Sequence, residues 1–308
     1  MTDLIVVGAG PAGLTAALYA ARAGKTVKII DAEGIGGQIA KSPLVENYPG
    51  IAKMSGMSFA DNLYEQVSSL GVEFELSAVL RIEMGENGTH IVVTEDGDFE
   101  TRAVILATGA KHRLLNVPGE DEFQGHGISY CALCDGAFFK GRPVAVIGGG
   151  NTALTDAIYL SAIASEVTIL HRRDEFRADE SLMDRARSIP NILWLPNVNI
   201  EEFQGSGNLT AIRYTDKLNG SEKLLKTDAA FIAIGQVPNN GIFNQITDLD
   251  ENGYFISNES GATKSPGIFV AGDCRKKDVR QLTTAIADGA NAAVAAWKYI
   301  NAAVSSNS

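Results

Sequence analysis

Cys131 and Cys134, separated by Ala132 and Leu133 and followed at once by Asp135 and Gly136, are the residues best suited to chemistry in this chain. A two-residue gap between cysteines permits a strained, reducible disulfide and lowers the pKa of the attacking thiol. A carboxylate directly after the pair can move protons during thiol exchange, so Cys131, Cys134 and Asp135 are the expected catalytic residues. A closed zinc site needs about four Cys or His ligands. Only Cys274 and four scattered histidines remain to supply them, so no metal is expected. Two buried, unreactive thiols are the bland alternative, and the adjacent Asp135 argues against it. Cys274, directly after Asp273, is expected to be a small packing residue at a strand end.

The elements that must hold this pair are announced by two copies of one device. Leu4 to Val7 is a continuous apolar run, as in a strand buried on both faces, and it leads into Gly8-Ala9-Gly10-Pro11-Ala12-Gly13. Leu14, Ala17, Leu18 and Ala21 then follow at helical spacing, Gly24 stops the helix, and Val27 to Ile30 form the next strand, ending in Asp31. Strand, glycine turn, helix and strand with a terminal acid are the parts of a dinucleotide site. The glycines let the backbone approach a pyrophosphate, the helix N-terminus offers free N–H groups, and the acid holds a ribose hydroxyl. Val144 to Ile147, Gly148-Gly149-Gly150-Asn151-Thr152-Ala153, a helix to about Ala164 and a strand from Val167 to Leu170 repeat the pattern shortly after the cysteine pair. One chain should therefore bind two dinucleotides.

The second copy ends in His171-Arg172-Arg173, with Arg177 close behind, where the first has an acid. Guanidinium groups grip a 2′-phosphate through paired, charge-assisted hydrogen bonds, which selects NADP over NAD. The competing reading is a solvated basic stretch neutralised by Asp174, Glu175, Asp179 and Glu180. Nicotinamide and disulfide would both have to reach one flavin ring, so a rotation at joints near residues 113 and 240 is expected.

A chain of 308 residues suits two domains that each bury a core. Hydrophobic content of 45% with 20% charged residues describes an ordinary globular protein, with disorder expected only from Ser305 to Ser308. A net charge of −11 repels phosphate backbones and anionic lipid, so neither nucleic acid nor membrane is an expected partner. No export signal and no apolar stretch of about 18 residues is visible, so a soluble, cytoplasmic protein is expected. Trp194, Trp297 and the aromatics around Tyr254 carry core or rim spacing and no expected function.

As a set, these residues resemble the low-molecular-weight thioredoxin reductases over essentially the whole chain. The resemblance is carried by Gly8 to Gly13, Gly36-Gly37-Gln38, Val45 to Gly50, Ala107-Thr108-Gly109, Cys131 to Gly136, Gly148 to Ala153 and His171 to Ala178. Ala233-Ile234-Gly235 with Pro238-Asn239, and Gly267 to Asp273 with Arg280-Gln281, extend it to the C-terminal part. The resemblance implies an α/β protein of two Rossmann-like, three-layer nucleotide-binding domains. Residues 1–113 and 241–308 would form the FAD domain, and residues 114–240 an inserted NADPH domain carrying the cysteine pair.

By the same resemblance FAD would be held by Gly8, Gly10, Pro11, Ala12, Gly13, Asp31, Glu33, Gly36, Gly37, Gln38, Asn47, Thr108, Gly109, Gly272, Asp273, Arg280, Gln281 and Leu282. NADPH would be held by Gly148, Gly150, Asn151, Thr152, Ala153, His171, Arg172, Arg173 and Arg177. The implied reaction is hydride transfer from NADPH to FAD, reduction of Cys131–Cys134, and exchange with oxidised thioredoxin through a mixed disulfide. Cys134 would face the flavin, Cys131 would attack the partner, Asp135 would serve as acid and base, and the enzyme would be a homodimer. The chain departs from the family pattern at Thr155-Asp156, at Ala137 and at His126, with Phe138 and Phe139 as the expected apolar contact for the partner. Left open are a ferredoxin donor, a glutaredoxin-like or peroxiredoxin-type acceptor, and a non-catalytic flavin redox sensor.

Overall fold

The computed structural model describes residues 1–306. Of the tail for which disorder is expected, Ser305 and Ser306 end the last helix, and Asn307 and Ser308 lie outside the described residues. The chain divides into two compact units, one formed by Met1–Lys111 with Val237–Ser308 and the other by His112–Gln236. The second unit is thus an insertion in the first.

In the first unit, β1 (Thr2–Val7), α1 (Pro11–Arg22), β2 (Val27–Asp31), α2 (Gly56–Ser68), β3 (Glu73–Leu76), β4 (Val79–Met84), β5 (His90–Thr94) and β6 (Asp98–Leu106) follow in chain order. The sheet runs β3-β2-β1-β6-β5-β4, with Ile268–Val270 returning from the C-terminal segment to pair parallel with β6. Alternation along the strands explains why both faces are covered. Leu4, Val6, Ile29, Ala103 and Ile105 pack with α1 and the Leu282–Ser306 helix, while Ile5, Val7, Ile30, Val104 and Leu106 pack on the other face with Phe243 and Phe255. Every residue from Leu4 to Val6 is fully buried, at about 1.5–3 kcal/mol for each such aliphatic side chain. The helix against α1 can approach closely because Gly289 stands where a Cβ would meet the Ala12 carbonyl oxygen at 2.2 Å.

The inserted unit has a five-stranded, all-parallel sheet in the order Ile192–Leu195, Glu166–Leu170, Pro143–Ile147, Ala229–Ile232, Ile128–Ser129. Val144, Val146, Val167 and Ile169 face α4 (Asn151–Ser161), which is preceded in the chain by the one-turn α3 (Ala132–Asp135). Ala145, Ile147, Leu170 and Ile232 face an antiparallel sheet of Val198–Ser206, Asn208–Asp216 and Glu222–Lys226, through Phe203, Leu209 and Ile212. Each unit is a three-layer, Rossmann-like α/β fold, as expected from the sequence. The α4 helix ends at Ser161, short of the expected Ala164, because Ala162 to Ala164 close onto Tyr159 and Leu160 in a tight turn.

A buried ionic cluster pins the C-terminal helix of the first unit. Asp288, 7% exposed, accepts from Arg275 Nε at 2.9 Å and Nη2 at 2.7 Å, from Lys277 Nζ at 3.0 Å and from the Gly272 backbone N–H at 3.1 Å. Burial alone would raise its carboxyl, but the bonds from Arg275 and Lys277 outweigh burial and hold it below the ordinary range. A depressed folded-state pKa gives stability that is present above the unfolded value of about 3.9 and lost as pH falls through the folded value. Asp288→Ala should therefore cost about 3–5 kcal/mol at neutral pH, since it strands the largely buried Arg275 and takes one of two carboxylates from Lys277. Thermal unfolding should show the gap from the parent protein narrowing as pH drops below the carboxylate range.

Candidate active site

The parallel sheet of the inserted unit ends at an edge strand, Ile128–Ser129, and the chain passes through Tyr130 directly into Cys131. Cys131 and Cys134 are disulfide-bonded, with Cα atoms 5.3 Å apart. Cys131 caps α3, its sulfur accepting the Cys134 backbone N–H at 3.2 Å. That hydrogen bond stabilises negative charge on Cys131 once the pair is reduced. Gly136 lets this turn press on α4, since a Cβ there would lie 2.8 Å from Leu160 Cδ2 and 3.3 Å from Tyr159 Cε1.

Asp135 is where the sequence puts it, and the structure adds its partner. Ser129, buried at the strand end, donates through Oγ to Asp135 Oδ2 at 2.6 Å and accepts the Cys131 N–H at 3.0 Å. Burial pushes the Asp135 carboxyl up, and the Ser129 hydrogen bond opposes the shift. Sequence reasoning missed Ser129. A lone serine at a strand end carries no spacing signal. It also missed Glu120, 3% exposed, which accepts from the Leu115 and Asn116 N–H groups and from Tyr130 Oη at 3.1 Å, fixing the residue beside Cys131.

Around the pair, Leu133 and Phe138 are 52% and 39% exposed, and Ala137 and His126 are exposed as well. Phe139 corrects an expectation. It is partly buried and packs edge-on against Phe231 at 5.9 Å, so of the two phenylalanines Phe138 is the one mainly open to a partner. On α4 the unusual Asp156 is largely buried and lifted by desolvation to about 7, while Thr155 is exposed.

The second glycine turn sits at the C-terminal end of Pro143–Ile147. Gly148, at φ +157°, lies against the Ala233 carbonyl, where a Cβ would come within 2.3 Å of the oxygen. A Cβ on Gly149 would lie 2.4 Å from His171 Cε1, so the glycine rests on the imidazole ring. Gly150 faces open space, and α4 begins there with no side-chain cap, leaving its first N–H groups free. Burial pushes the His171 imidazole below its ordinary range, and its Nε2 lies 3.2 Å from the Glu175 carbonyl, so His171 forms the floor of the turn. Asn151 makes two hydrogen bonds with Asp179, and Thr152 is exposed and Ala153 buried.

Arg172, Arg173 and Arg177 are all exposed, and the Arg177 N–H donates to the Gly149 carbonyl at 2.7 Å, tying the arginine loop to the glycine turn. Among the described residues none of the three makes an ion pair. Asp174 accepts from Asn197, Asp179 is tied to Asn151, and Glu180 pairs with Arg187, so these three acids are held by other side chains and form no direct pair with the arginines. An uncapped helix, an open turn and three uncommitted guanidinium groups fit a phosphorylated dinucleotide.

The first unit repeats the geometry. A Cβ on Gly8 would lie 2.3 Å from the Ala107 carbonyl oxygen and one on Gly13 1.9 Å from the Gly8 oxygen, whereas Gly10 faces open space at the uncapped start of α1, where Pro11 is the first residue and Ala12 is buried. Gly36 and Gly37 take positive φ, and the Gly36 N–H donates to the Ala9 carbonyl, bringing the Gly36-Gly37-Gln38 segment over Gly10. Asp31 accepts N–H groups from Ala9, Glu33 and Gly34 at 2.7–2.9 Å, and the Glu33 side chain pairs with Lys111. Asn47 Nδ2 donates to Gln281 Oε1 at 3.2 Å, next to Leu282 at the start of the C-terminal helix.

Thr108, beside Gly109, donates to Asn240, a fully buried residue that the sequence did not flag and that also bonds the Gly253 and Cys274 carbonyls. Arg280 lies 4.1 Å from the Tyr254 ring and bonds the Asp273 and Arg275 carbonyls. Asp273, after Gly272, is the decisive group here. Its buried Oδ1 has no hydrogen-bond partner of suitable geometry, although Lys277 Nζ lies 3.2 Å away, and burial raises its carboxyl. A buried carboxylate held by one ammonium, with acceptor capacity to spare beside an uncapped glycine turn, fits FAD, whose ribityl hydroxyls are donors. Cys274 is fully buried and its thiol faces the Leu106 and Ala271 carbonyls, a packing role.

Residues 2–289 match the family described as pyridine nucleotide-disulphide oxidoreductase. The chain belongs to that family. Among curated members of the pyridine nucleotide-disulphide oxidoreductases, it is 40% identical to the thioredoxin reductase of Listeria innocua over 97% of this chain and 93% of that one. It is 39% identical to the thioredoxin reductase of Bacillus subtilis over 97% of this chain and 94% of the other. The solved thioredoxin reductase of Streptococcus pyogenes superposes with a TM-score of 0.94 at 39% identity, covering 98% of this chain and 99% of that one. The resemblance read from the motifs is borne out by these relatives.

Proposed function

We propose that the chain is an NADPH-dependent thioredoxin-disulfide reductase, with FAD in the first unit, NADPH in the inserted unit and Cys131–Cys134 as the exchanging disulfide. The observation that carries the reading is the capped pair itself, a Cys131–Cys134 disulfide with a hydrogen-bonded carboxyl on the next residue. Bound FAD and NADPH would supply the two electrons that reduce the pair. Cys131, favoured as thiolate by the Cys134 N–H, attacks one sulfur of the partner disulfide. A bond forms between Cys131 and the partner, the partner disulfide breaks, and Asp135 gives a proton to the departing thiolate. Cys134 then displaces the second partner thiol and restores the Cys131–Cys134 bond.

Leu133 and Phe138, exposed on either side of Cys134, supply the apolar contact for thioredoxin. Gly8, Gly10 and Gly13 with Asp31 and Asp273 would hold FAD, and Gly148, Gly150, Arg172, Arg173 and Arg177 would hold NADPH. No helix among the described residues is long and apolar enough to cross a membrane. A redox-active cysteine pair outside a disulfide framework is at home in a reducing compartment, which supports a cytoplasmic enzyme. A homodimer is supported by an apolar groove of Tyr19, Ala23, Val294 and Trp297 that a second copy would cover.

The test is oxidation of NADPH by the purified, FAD-loaded protein in the presence of oxidised thioredoxin, with NADH and reduced ferredoxin run beside it. Turnover with NADPH and thioredoxin is expected. Reduction by ferredoxin alone would replace the donor, and NADPH reduction of the disulfide without transfer to thioredoxin would replace the acceptor.

A further inference from the structure

Asp135 does not stand alone beside the disulfide. The Cys131 N–H donates to Ser129 Oγ at 3.0 Å, and the same oxygen donates its only proton to Asp135 Oδ2 at 2.6 Å. A second acceptor, the Cys131 carbonyl, lies 3.3 Å from Ser129 Oγ. One proton cannot serve both, and the shorter bond is the one that strengthens when the carboxyl is ionised. We propose that Ser129 is a positioning residue for proton transfer, tying the Asp135 carboxyl to the Cys131 backbone and following its protonation by turning one hydroxyl between two acceptors. The proposal rests on the reading of Asp135 as the group that moves protons.

When the Cys131 thiolate attacks a partner disulfide, the new sulfur–sulfur bond forms as the old one breaks, and the leaving thiolate takes the proton of Asp135. The carboxylate so created is met at once by the Ser129 hydroxyl, itself polarised by the Cys131 N–H, so charge appears where a donor already waits. When Asp135 regains its proton, the hydroxyl turns to the Cys131 carbonyl. Burial raises the Asp135 carboxyl and Ser129 lowers it, and no charged neighbour contributes. Of the elements against α3, the Gly136–Phe139 turn carries no titratable side chain, and α4 carries Asp156 and Tyr159. Asp156, lifted to about 7, and the Cys131 and Cys134 thiols of the reduced protein are therefore the groups whose titration has to be told from that of Asp135, and the thiols are absent from the titration of the oxidised protein.

The measurement is the pH dependence of disulfide exchange by the reduced, FAD-loaded protein against oxidised thioredoxin, for the parent, Ser129→Ala, Ser129→Thr, Asp135→Asn and Asp156→Asn. Asp135→Asn should remove one limb of the profile and Asp156→Asn should leave that limb in place. Ser129→Ala should move the limb to higher pH and lower the rate near neutrality by about tenfold, the value of one charge-assisted hydrogen bond. Ser129→Thr, which keeps the hydroxyl, should restore it. If Asp135→Asn keeps the limb, the acid–base reading falls and the proposal with it. If Asp135→Asn loses the limb while Ser129→Ala follows the parent curve, only the role of Ser129 falls. Carboxyl titration by carbon-13 NMR in oxidised Ser129→Thr and Ser129→Val, which differ by one hydroxyl at nearly equal volume, reads the same quantity without turnover. Equal Asp135 titration in that pair would also overturn the proposal.

Discussion

Cys134→Ser is expected to stop turnover and leave a covalent complex behind. With Cys134 gone, Cys131 still sits at the cap of α3, where the backbone N–H of residue 134 reaches its sulfur at 3.2 Å. The remaining thiol keeps the hydrogen bond that favours thiolate, attacks oxidised thioredoxin and forms a mixed disulfide that no second thiol can resolve. Catalytic reduction should fall by at least about a thousandfold, and the double variant should be no worse than either single one, because the two sulfurs act as a unit. Non-reducing electrophoresis after mixing should show an adduct with Cys134→Ser and none with Cys131→Ser. An adduct through Cys134 in the Cys131→Ser protein would reverse the assigned roles. Retained turnover in either variant would remove the pair from the reaction.

What could be read from the chain, and what could not, divides along a physical line. The two glycine turns were legible because their requirement is local. Gly8 and Gly148 each approach a carbonyl, those of Ala107 and Ala233, too closely for any side chain, and each stands between an apolar strand and a helix that the residue pattern already marks. The cysteine pair was legible for the same reason, since four consecutive residues contain the disulfide and its cap.

The partners of those groups were not legible. Asn240 reaches Thr108 across 132 positions, and Asp288 gathers Gly272, Arg275 and Lys277 from 11 to 16 residues away. Such contacts follow tertiary packing and leave no period in the sequence. Phe138 and Phe139 are indistinguishable as letters. Only the direction in which the turn leaves α3 sends Phe139 against Phe231 at the edge of the core and Phe138 outward. The same limit hid whether the acids beside the arginines were partners or bystanders. Asp174 and Asp179 are each occupied by an asparagine side chain, which no reading of charge order would reveal.

Those uncommitted arginines carry the second large effect. Arg172→Ala, Arg173→Ala and Arg177→Ala combined should raise the KM for NADPH by roughly a hundredfold or more, since a charge-assisted hydrogen bond to phosphate contributes about 1.5–3 kcal/mol and exposed groups fall at the low end. The KM for NADH should barely move, because the 2′-hydroxyl offers no charge to hold, so the preference between the two donors collapses. The maximal rate with saturating NADPH should survive, as the side chains act on binding and lie on a loop fixed by the Arg177 N–H to Gly149 bond, which alanine retains. Ionic strength gives an independent readout. Added salt should raise the KM for NADPH in the parent protein and leave the triple variant nearly flat, because exposed charges are screened within about 10 Å at 0.1 M. Arg177→Lys should recover only part of the loss, a point charge being a poorer match to phosphate than a planar fork. An unchanged ratio of NADPH to NADH use in the triple variant would mean that these guanidinium groups do not read the 2′-phosphate, and donor selection would then have to be sought elsewhere in the inserted unit.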